Sequence, residues 1–447
     1  MIKIYLIVQI ALHIIVFCGK KKLKNEKICA KQICESLKRL KLKRNKKAYI
    51  QIHSTLNGNK NNTHTLHMKN KICIFDLSEK LIDYKLAFDL QNVLHQSKII
   101  LHKENSLNSS NRLSNSNSLY TLNITNKSKL GKLKNLKKNI EKYDFCFVLQ
   151  HTPCYTLGSS ADSNDIHLDE KNYYIEEIEE VCNNSESNKI LQFINKYENV
   201  KDEIEKCEIY DEKKNYFDSF LYNINNKIKI PVYRINRGGK ATYHGPGQLV
   251  LYFIFNLKNY SSNYNEKRVQ NLSRNHYNFP KDGSTRKKDS ECLSYVEKNT
   301  NNATNIECLF DLHKTINNFQ KMGMEIMKKL NVKTHTKNDS IGVFYNDKKL
   351  ISIGLKIRKY VSMHGMSVNF NINKNFLKYL LSCGMNHNDY TSLHELDEMK
   401  NKESTRENGI AHHNSLLREL TVHSIQSLKT IFNANIKITS DIRDIFA

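Results

Sequence analysis

The feature that most constrains this chain is a cluster of glycines that runs directly into an apolar segment, in the stretch RINRGGKATYHGPGQLVLYFIFNL at 234–257. The whole chain of 447 residues has only 15 Gly and 4 Pro. One ten-residue window contains Gly238, Gly239, Gly245, Pro246 and Gly247. Because glycine lets the backbone reach positive φ and approach a ligand closely, the pattern predicts a ligand-binding loop that leads into a buried strand at 249–255. A hairpin with ordinary turn glycines fits the spacing equally well, so both interpretations stay open.

The hydrophobic pattern along the chain mixes predicted helices with predicted strands. A helix is predicted around 75–96, where four apolar residues share one face and Ser78 is the candidate N-cap. The other predicted elements are strands at 145–149 and 249–255, two strands around a turn at 346–347, a strand at 367–372, and helices at 309–330 and 415–432. These elements show no strict βαβ alternation, so the predicted fold class is α+β, or α/β with a mixed sheet.

The chain is strongly basic, with a formal net charge of +25 and a sequence pI near 9.4. A basic chain makes nucleic acid the first partner to consider. The excess lies in the first 50 residues and in Asn- and Lys-rich tracts, not on one evident face, which disfavours a nucleic-acid surface. A basic surface would also suit an acidic protein substrate.

The cysteines are 11 in number, an odd count, and they include no CxxC pair and no spacing typical of metal ligands. A disulfide framework or a zinc site is therefore not predicted. Most of the cysteines are expected to serve as small apolar residues in a reducing compartment, which leaves room for one nucleophile.

The amino-terminal part of the chain has the composition of two targeting segments. Residues 4–18 form an apolar run that fits the core of a signal peptide, so 1–19 are predicted as a signal-like segment. Residues 20–70 are predicted as a basic transit-like segment, because 20–49 are rich in Lys and Arg and hold only two acids. Together they resemble the bipartite leader of secondary plastids such as the apicoplast. The alternatives are a signal anchor, or a cytosolic protein whose irregular amino-terminal segment has no targeting function.

Two further stretches could carry chemistry. In KKLISIGLKI at 348–357, Lys348 and Lys349 open an apolar strand, and a lysine at the head of such a strand would be held near the core. In LLSCGM at 380–385, Cys383 closes an apolar run. A solvated lysine and a buried core cysteine are the plain alternatives. A thiol with a pKa near 8.5 is roughly 3% thiolate at neutral pH, and a neighbouring ammonium favours the thiolate, so a lysine of this strand and Cys383 could form an acyl-transfer dyad.

Four motifs of the chain resemble those of one known family, the lipoyl(octanoyl) transferases, also called octanoyl-acyl-carrier-protein–protein N-octanoyltransferases. RGGKATYHGPGQLV at 237–250 resembles the signature loop, and HTPCYTLG at 151–158 resembles the segment upstream of it. KKLISIGLKIRKYVSMHGMSVNFNI at 348–372 and CGM at 383–385 are similar to the lysine strand, the His-Gly segment and the nucleophile. The resemblance runs from about residue 72 to the carboxyl end, with polar inserts between the motifs.

The resemblance implies a role for each matching residue. Cys383 would carry the acyl group as a thioester, and Lys349 would lower the pKa of that thiol and shuttle protons. The residues expected to wall the acyl pocket are Arg237, Gly238, Gly239, Lys240, Ala241, Thr242, Tyr243, His244, Ser352, Ile353, Gly354, Gly365, Met366 and Ser367. The implied fold is the mixed-sheet α/β fold shared by biotin and lipoate protein ligases.

The implied reaction is a two-step acyl transfer. Octanoyl-acyl carrier protein would acylate Cys383, and a lysine of an apo lipoyl domain, in the E2 protein of a 2-oxoacid dehydrogenase, would then attack to give an amide. No metal, nucleotide or redox cofactor is expected, and neither nucleic acid nor, once the leader is removed, a stable membrane insertion is implied. An ATP-dependent lipoate–protein ligase is the alternative enzyme, although such ligases typically carry three consecutive glycines and lack this cysteine. A basic nucleic-acid-binding protein is the alternative outside the enzymes.

The expected domain organisation is a catalytic domain at 71–447 that is interrupted by inserts. The polar tracts near 105–141, 162–227, 258–305 and 394–412 are predicted to be disordered. The chain departs from the family pattern at Ser382, where proline is usual before the nucleophile, and at Lys240, where glutamine is common. Serine in place of proline would make the cysteine loop less rigid.

Overall fold

The computed structural model of the chain describes residues 70–110, 127–178, 200–211, 213–260, 311–381, 385–401 and 413–445. All of them belong to the unit 68–447. The predicted leader up to residue 69, almost all of the predicted insert at 258–305, and Cys383 with its neighbours Ser382 and Gly384 lie outside the described residues.

The described elements are strands and helices in mixed order. The strands are β1 (Asn70–Ile82), β2 (Asp144–His151), β3 (Cys154–Leu157), β4 (Tyr173–Glu177), β5 (Ile230–Arg234), β6 (Thr242–His244), β7 (Gln248–Ile254), β8 (Gly342–Tyr345), β9 (Lys348–Arg358), β10 (Val361–Asn369) and β11 (Ala434–Thr439). The α-helices are α1 (Tyr84–Ser110), α2 (Lys127–Lys142), α3 (Val200–Lys206), α4 (Tyr216–Asn225), α5 (Leu312–Lys329), α6 (Leu393–Asn401) and α7 (His413–Ile431). None of these helices has the length and apolar character that a bilayer crossing requires.

Seven of the described strands form one mixed sheet in the order β11-β1-β2-β7-β10-β9-β8. The strands β11, β1 and β2 run parallel to each other. From β2 onwards each neighbouring pair is antiparallel. This architecture confirms the predicted class, an α/β fold with a mixed sheet.

Helices cover both faces of the large sheet, which explains why its central strands are continuous apolar runs. Every residue of β2 and β7 is buried. Successive strand residues point to opposite faces. Leu251 of β7 accordingly belongs to the core cluster that contains Phe319 of α5. Its neighbour Tyr252 belongs to the cluster on the other face, which contains Leu90 of α1.

A second, four-stranded sheet is present in the described residues, in the order β4-β5-β3-β6. Its apolar cluster includes Tyr155 of β3, Tyr243 of β6 and Phe376. The strand β3 follows β2 after two residues, and β6 leads into β7. This sheet therefore brings the motifs at 151–158 and 237–250 together at one end of the large sheet.

Several elements predicted from the sequence are confirmed. The strand predicted at 145–149 lies inside β2, and the strand predicted at 249–255 is β7 apart from its last residue. The helix predicted at 309–330 contains α5, which begins after Asp311 because that carboxylate accepts the N–H of Lys314 at 3.0 Å. The strands β8 and β9 flank the predicted turn at 346–347, and α7 fills most of the last predicted helix.

The helix predicted around 75–96 begins later than expected, and the predicted N-cap at Ser78 is wrong. Ser78 lies within β1, where its hydroxyl stands 2.7 Å from Oδ1 of Asp76. The helix α1 starts at Tyr84 instead, and Asp83 accepts the N–H of Leu86 at 3.1 Å. The strand prevails because β1 pairs with β11 on one side and β2 on the other, which satisfies its backbone groups inside the sheet.

The described parts of the predicted inserts contain regular structure, which differs from the expected disorder. The helix α2 lies almost wholly within 105–141, the elements β4, α3 and α4 lie within 162–227, and α6 begins at the edge of 394–412. A few buried apolar side chains anchor these helices, such as Ile140 of α2 and Phe220 of α4. The sequence pattern did not indicate these helices, because their few buried apolar residues are outnumbered by Lys and Asn.

Candidate functional site

A cavity of about 970 Å³ lies between the loop 237–244 and the strands β9 and β10. The start of α5 and the segment 337–341 add to its wall. Its lining mixes apolar side chains, such as Val250 and Ile357, with polar and charged ones. A concave site of this size with a few convergent polar groups is the usual form of a small-molecule binding pocket.

Almost all of the residues predicted to wall an acyl pocket line this one cavity. Those that do so are Arg237, Gly238, Gly239, Lys240, Ala241, Thr242, His244, Ser352, Ile353, Gly354, Gly365, Met366 and Ser367. The predicted catalytic residue Lys349 lines it too. Residues separated by more than 100 positions in the sequence are thus brought together, and their individual roles stay predictions.

Tyr243 is the one predicted wall residue that does not line the cavity. Its side chain is fully buried and stacks on Phe376 with a centroid separation of 4.7 Å and an interplanar angle of 15°. The cause is strand alternation in β6, where Thr242 and His244 lie on one face and Tyr243 on the other. The side chain of Tyr243 therefore stabilises the smaller sheet behind the loop.

The glycine loop is held by the motif at 151–158, which the sequence could place only by resemblance. The Arg237 guanidinium donates to Oγ1 of Thr156 at 2.9 Å. The N–H of Ser159 donates to the carbonyl of Arg237 at 2.9 Å. On the other side, the N–H of Gly238 donates to the carbonyl of Leu355 in β9 at 3.2 Å. The loop is therefore fixed between β3 and β9, which supports the ligand-loop interpretation over a plain hairpin.

Lys349 and Lys348 have opposite environments although they are sequence neighbours. Lys349 is only 7% exposed, and its Nζ lies 5.4 Å from the ring centroid of Phe344. The side chain of Lys348 is 41% exposed, and its Nζ lies 3.8 Å from Oε1 of Glu395. Adjacent strand residues point to opposite faces, so of the two lysines it is Lys349 that reaches the cavity.

Cys383 lies outside the described residues, but a described residue close to it in sequence contributes to the cavity. Met385, two positions further on, lines the cavity. The described cysteines are Cys73, Cys146, Cys154 and Cys207. Burial raises the pKa of each of these thiols, to about 11 for Cys73. These four are therefore poor nucleophiles, as expected for cysteines that serve as packing residues.

Several residues of the site were not predicted from the sequence. Tyr84 of α1, Tyr252 of β7 and His364 of β10 line the cavity. His151 lies next to them, with its ring centroid 5.5 Å from that of His244. His151 and His364 belong to the motifs at 151–158 and 348–372, so the family resemblance was the sequence signal that could have indicated them. Tyr84 carried no signal, because a helix pattern does not show which side chain reaches a distant loop.

His364 has a left-handed backbone, with φ of 63°, in the middle of β10. Its N–H donates to Oε1 of Gln91 in α1 at 3.0 Å. The next residue, Gly365, is packed so closely that a β-carbon would stand 1.9 Å from the carbonyl oxygen of Leu251. A non-glycine residue at positive φ persists only where its surroundings impose it, and such strain is concentrated at functional sites.

The buried histidines of the site are neutral at neutral pH. Burial lowers the pKa of His151 to about 4. Burial is also the main cause that lowers the pKa of His244 to about 3, and the pKa of His364 is lowered well below its usual range. These rings can therefore donate or accept hydrogen bonds without carrying charge. Among the described residues, no group of three or more His, Cys, Asp or Glu side chains is arranged to hold a metal ion.

Comparison with known proteins finds similarity to lipoate-related enzymes over part of the chain. Residues 220–276 and 299–428 match the model of the lipoyl protein ligase A/B catalytic domain. An octanoyltransferase of Buchnera aphidicola subsp. Acyrthosiphon pisum is 32% identical over 155 residues, which cover 35% of this chain and 51% of the relative. An octanoyltransferase of Aliivibrio fischeri is 29% identical over 198 residues, which cover 43% and 64%. The chain thus spans between half and two thirds of the length of these relatives.

Solved structures give a more distant likeness. A bi-partite lipoate protein ligase of Thermoplasma acidophilum, described with its E2 lipoyl domain, is 8% identical and has a TM-score of 0.37. The alignment covers 85% of this chain and 89% of that one. The family match, in contrast, falls on the elements that wall the cavity, since its two parts contain the loop 237–244 and the strands β8 to β10. Over 220–276 and 299–428 the chain is therefore similar to the lipoyl protein ligase A/B catalytic domain, and the sequence relatives named above are octanoyltransferases.

Proposed function

We propose that the chain transfers an octanoyl group from octanoyl-acyl carrier protein to a lysine of apo lipoyl domains, through a thioester on Cys383. The observation that carries the proposal is that Lys349, the glycine loop 237–244 and Met385, which is two positions after Cys383, line one cavity. The similarity to octanoyltransferases supports the same reaction class.

The apolar part of the cavity suits a saturated acyl chain. Its lining includes Val250, Ile353, Leu355, Ile357 and Met366. Each methylene group that leaves water for such a surface contributes about 0.8 kcal/mol. The polar part, with Arg237 and Lys349, provides donors for the thioester end of the ligand.

The first step forms the acyl-enzyme. The Cys383 thiolate attacks the carbonyl carbon of the donor thioester, a new C–S bond forms, and the bond to the carrier sulfur breaks. The carrier sulfur leaves with that electron pair and takes a proton. Lys349 would favour the attacking thiolate by its positive charge, which a partly desolvated position strengthens.

The second step moves the acyl group to the acceptor. The neutral amine of the acceptor lysine attacks the thioester carbon, the C–N bond forms and the C–S bond to Cys383 breaks. The exchange of a thioester for an amide is downhill, so the step needs no nucleotide. Lys and Arg also outnumber Asp and Glu in residues 71–447, outside the proposed leader, which suits acidic protein partners for both steps.

The rival enzyme activity is ATP-dependent ligation of free lipoate or octanoate. The test is to incubate the full chain with octanoyl-acyl carrier protein and an apo lipoyl domain in the absence of ATP, and to measure the intact mass of the acceptor. We expect the acceptor to gain one octanoyl group. A gain that appears with free octanoate and ATP, and never with the carrier thioester, would establish the ligase instead.

We also propose that residues 1–70 direct the protein to a plastid of the apicoplast type. The support is the apolar run at 4–18 followed by the acid-poor basic stretch at 20–49. A fluorescent reporter fused behind residues 1–70 should reach the plastid, and the same fusion without residues 1–19 should stay in the cytosol. If both fusions have the same location, the bipartite interpretation is wrong, while the catalytic proposal is unaffected.

A further inference from the structure

A chain of hydrogen bonds runs from the cavity wall into the protein and ends on a backbone carbonyl. Nδ1 of His244 lies 2.7 Å from Oε1 of Gln248. Nε2 of Gln248 lies 3.0 Å from Oδ1 of Asn369, and Nδ2 of Asn369 lies 3.3 Å from the carbonyl oxygen of Thr391. All four residues are buried, so bulk solvent does not compete for these bonds.

The backbone carbonyl sets the direction of every proton in this chain. A carbonyl only accepts, so Asn369 turns its NH2 group to Thr391 and its oxygen to Gln248. Gln248 therefore donates to Asn369 and turns its own oxygen to His244. It follows that Nδ1 of His244 carries a hydrogen. Because burial lowers the pKa of His244 to about 3, the ring is neutral and its Nε2 keeps a lone pair.

A second chain of hydrogen bonds supports the same ring from the side. Nδ1 of His151 lies 2.9 Å from the carbonyl oxygen of Ile82, and its Nε2 lies 2.7 Å from the hydroxyl of Tyr252, so Tyr252 donates to His151. The Tyr84 ring also packs against His151, with a centroid separation of 5.1 Å. The Tyr84 ring stacks on His244 with a centroid separation of 5.8 Å and an angle of 14°. The two chains together fix the tautomer and the plane of the His244 imidazole.

The cavity wall thus presents a rigid hydrogen-bond acceptor, and the proposed reaction supplies few partners for it. The octanoyl chain and its thioester contain no N–H or O–H group. The amine of the acceptor lysine has N–H groups, as do the amides in the carrier's pantetheine arm. On the basis of the proposed function, we propose that Nε2 of His244 accepts a hydrogen bond from the attacking amine and directs the amine lone pair to the thioester carbonyl.

The charges around His244 favour the amine in its reactive form. A lysine side chain in water is an ammonium, which has no lone pair for attack. The positive charge of Arg237 contributes to lowering the pKa of both His244 and His364. The same charge disfavours a second cation at this place and so favours the neutral amine.

The transfer step balances with His244 as a hydrogen-bond acceptor alone. The amine nitrogen forms the C–N bond with its lone pair, and the sulfur leaves with the electron pair of the C–S bond. One amine proton must be lost, and it ends on the departing sulfur, which returns as a thiol. The other N–H stays hydrogen-bonded to Nε2 throughout, so the low basicity of His244 is no obstacle.

The test separates the two half-reactions in full-length protein. Acyl-enzyme formation from octanoyl-acyl carrier protein and its discharge by an apo lipoyl domain are each followed by intact mass under single-turnover conditions. For His244→Ala, we expect the discharge rate to fall about tenfold more than the acylation rate, the equivalent of about 1.4 kcal/mol. The matched control is His167→Ala, because His167 is exposed and does not line the cavity.

A second variant tests the relay without removing the imidazole. In Gln248→Glu, a carboxylate beside Nδ1 raises the pKa of His244, so the ring becomes protonated and loses its acceptor at low pH. We expect discharge by the lipoyl domain to depend on pH with a new apparent pKa, slow below it and recovering above it. A purely structural role of Gln248 would lower the rate equally at every pH.

The outcomes distinguish this inference from the proposed function. If the wild-type chain forms no acyl-enzyme and transfers nothing, the proposed function fails, and the inference fails with it. If the wild type transfers normally and His244→Ala slows acylation as much as discharge, only the inference is overturned. That result would assign the Nε2 acceptor to the pantetheine amides of the donor.

Discussion

Gly158 lies so close to Gly239 that a β-carbon at position 158 would stand 2.2 Å from the Gly239 carbonyl oxygen and 2.9 Å from a guanidinium nitrogen of Arg237. Gly158 ends the upstream motif, and Gly239 belongs to the glycine loop. The contact shows that the loop keeps its position because the residue facing it has no side chain. A substitution at Gly158 therefore tests whether the position of the glycine loop matters for the cavity.

We predict that Gly158→Ala displaces the glycine loop and lowers acyl transfer at least about tenfold, while it destabilises the fold by roughly 1–3 kcal/mol through overpacking. The matched control is Gly131→Ala in α2, where no atom lies within 4 Å of the added β-carbon. That change should leave transfer unchanged and raise the stability by up to about 1 kcal/mol. Transfer assays and urea unfolding of both variants provide the comparison, and full activity of Gly158→Ala would refute the role of this contact.

Lys349 should control the reactivity of Cys383. In Lys349→Ala we expect the apparent thiol pKa to rise, and a shift of two units corresponds to roughly 2.7 kcal/mol. Acylation at neutral pH should slow and recover only in part at high pH, because the lysine is also proposed to relay a proton. Lys348→Ala is the control, since its Nζ lies beside Glu395 and not in the cavity.

The measurement is the pH dependence of alkylation of Cys383, followed by peptide mass mapping. The described cysteines interfere little, because burial raises the pKa of all four thiols. If Lys348→Ala shifts the profile and Lys349→Ala does not, the wrong lysine has been assigned. If neither shifts it, the lysine–cysteine pairing is wrong.

How far the sequence predicted this site depends on the kind of feature. The glycine loop, the lysine strand and the walls were predicted because each motif keeps its pattern within a short stretch. The sequence did not show that the side chain of Tyr243 lies on the strand face away from the cavity, since that face depends on the register of β6 against β3. The acceptor role of His244 needs Asn369 and Thr391, which lie more than 120 positions away. No local pattern indicates such a relay.

The fold shows the same limit at the start of α1. A helix with Leu90, Val93 and Leu94 on its buried face is present as predicted, but the predicted start at Ser78 is wrong. Whether 70–82 form a strand depends on β11, which is contributed by residues 434–439 at the other end of the chain. Long-range strand pairing of this kind outweighs a local capping signal.

Buried neutral histidines should make the fold sensitive to acid. Burial lowers the pKa to about 4 in His95 and His151 and to about 3 in His244, whereas unfolded histidine titrates near 6.5. Below pH 6.5 the histidines are protonated in the unfolded state but stay neutral in the folded state. Each ring therefore lowers the free energy of unfolding by about 1.4 kcal/mol for each pH unit that the pH falls. This loss begins as the pH falls through about 6.5, continues down to each folded pKa, and is absent at higher pH.

The variant His95→Leu tests the predicted loss of stability in acid. His95 suits this test because it does not line the cavity. Burial is the main cause of the lowered pKa of His95, and the positive charges of Lys356 and Arg358 add to the lowering. The free energy of unfolding, measured by urea titration between about pH 6.5 and pH 4, should fall less steeply in the variant, by about 1.4 kcal/mol per pH unit. Equal slopes would show that His95 is protonated in the folded state.

The buried ion pair between Lys98 and Asp144 should be essential for stability. Nζ of Lys98 lies 2.8 Å from Oδ1 of Asp144, and the two side chains are 5% and 3% exposed. Tyr260 donates to Oδ2 of the same carboxylate at 2.7 Å. Lys98→Met should destabilise the fold by about 3–5 kcal/mol, because it leaves a buried carboxylate without its cation.

The matched control for this pair is Lys171→Met. Lys171 and Asp169 form an ion pair whose side chains are 77% and 63% exposed. Solvent screens such a pair, so its loss should change the stability by less than about 1 kcal/mol. Urea unfolding of both variants decides the matter, and similar effects in the two would contradict the importance assigned to burial.

The most direct test of the whole account is the mass of the protein itself after incubation with octanoyl-acyl carrier protein alone. We predict that the wild-type chain gains the mass of one octanoyl group, that the adduct maps to Cys383 and is released by hydroxylamine, and that Cys383→Ala gains nothing while it keeps the wild-type unfolding profile. An octanoyl adduct that persists in Cys383→Ala, or a wild-type chain that transfers octanoate without ever carrying it, would contradict the account.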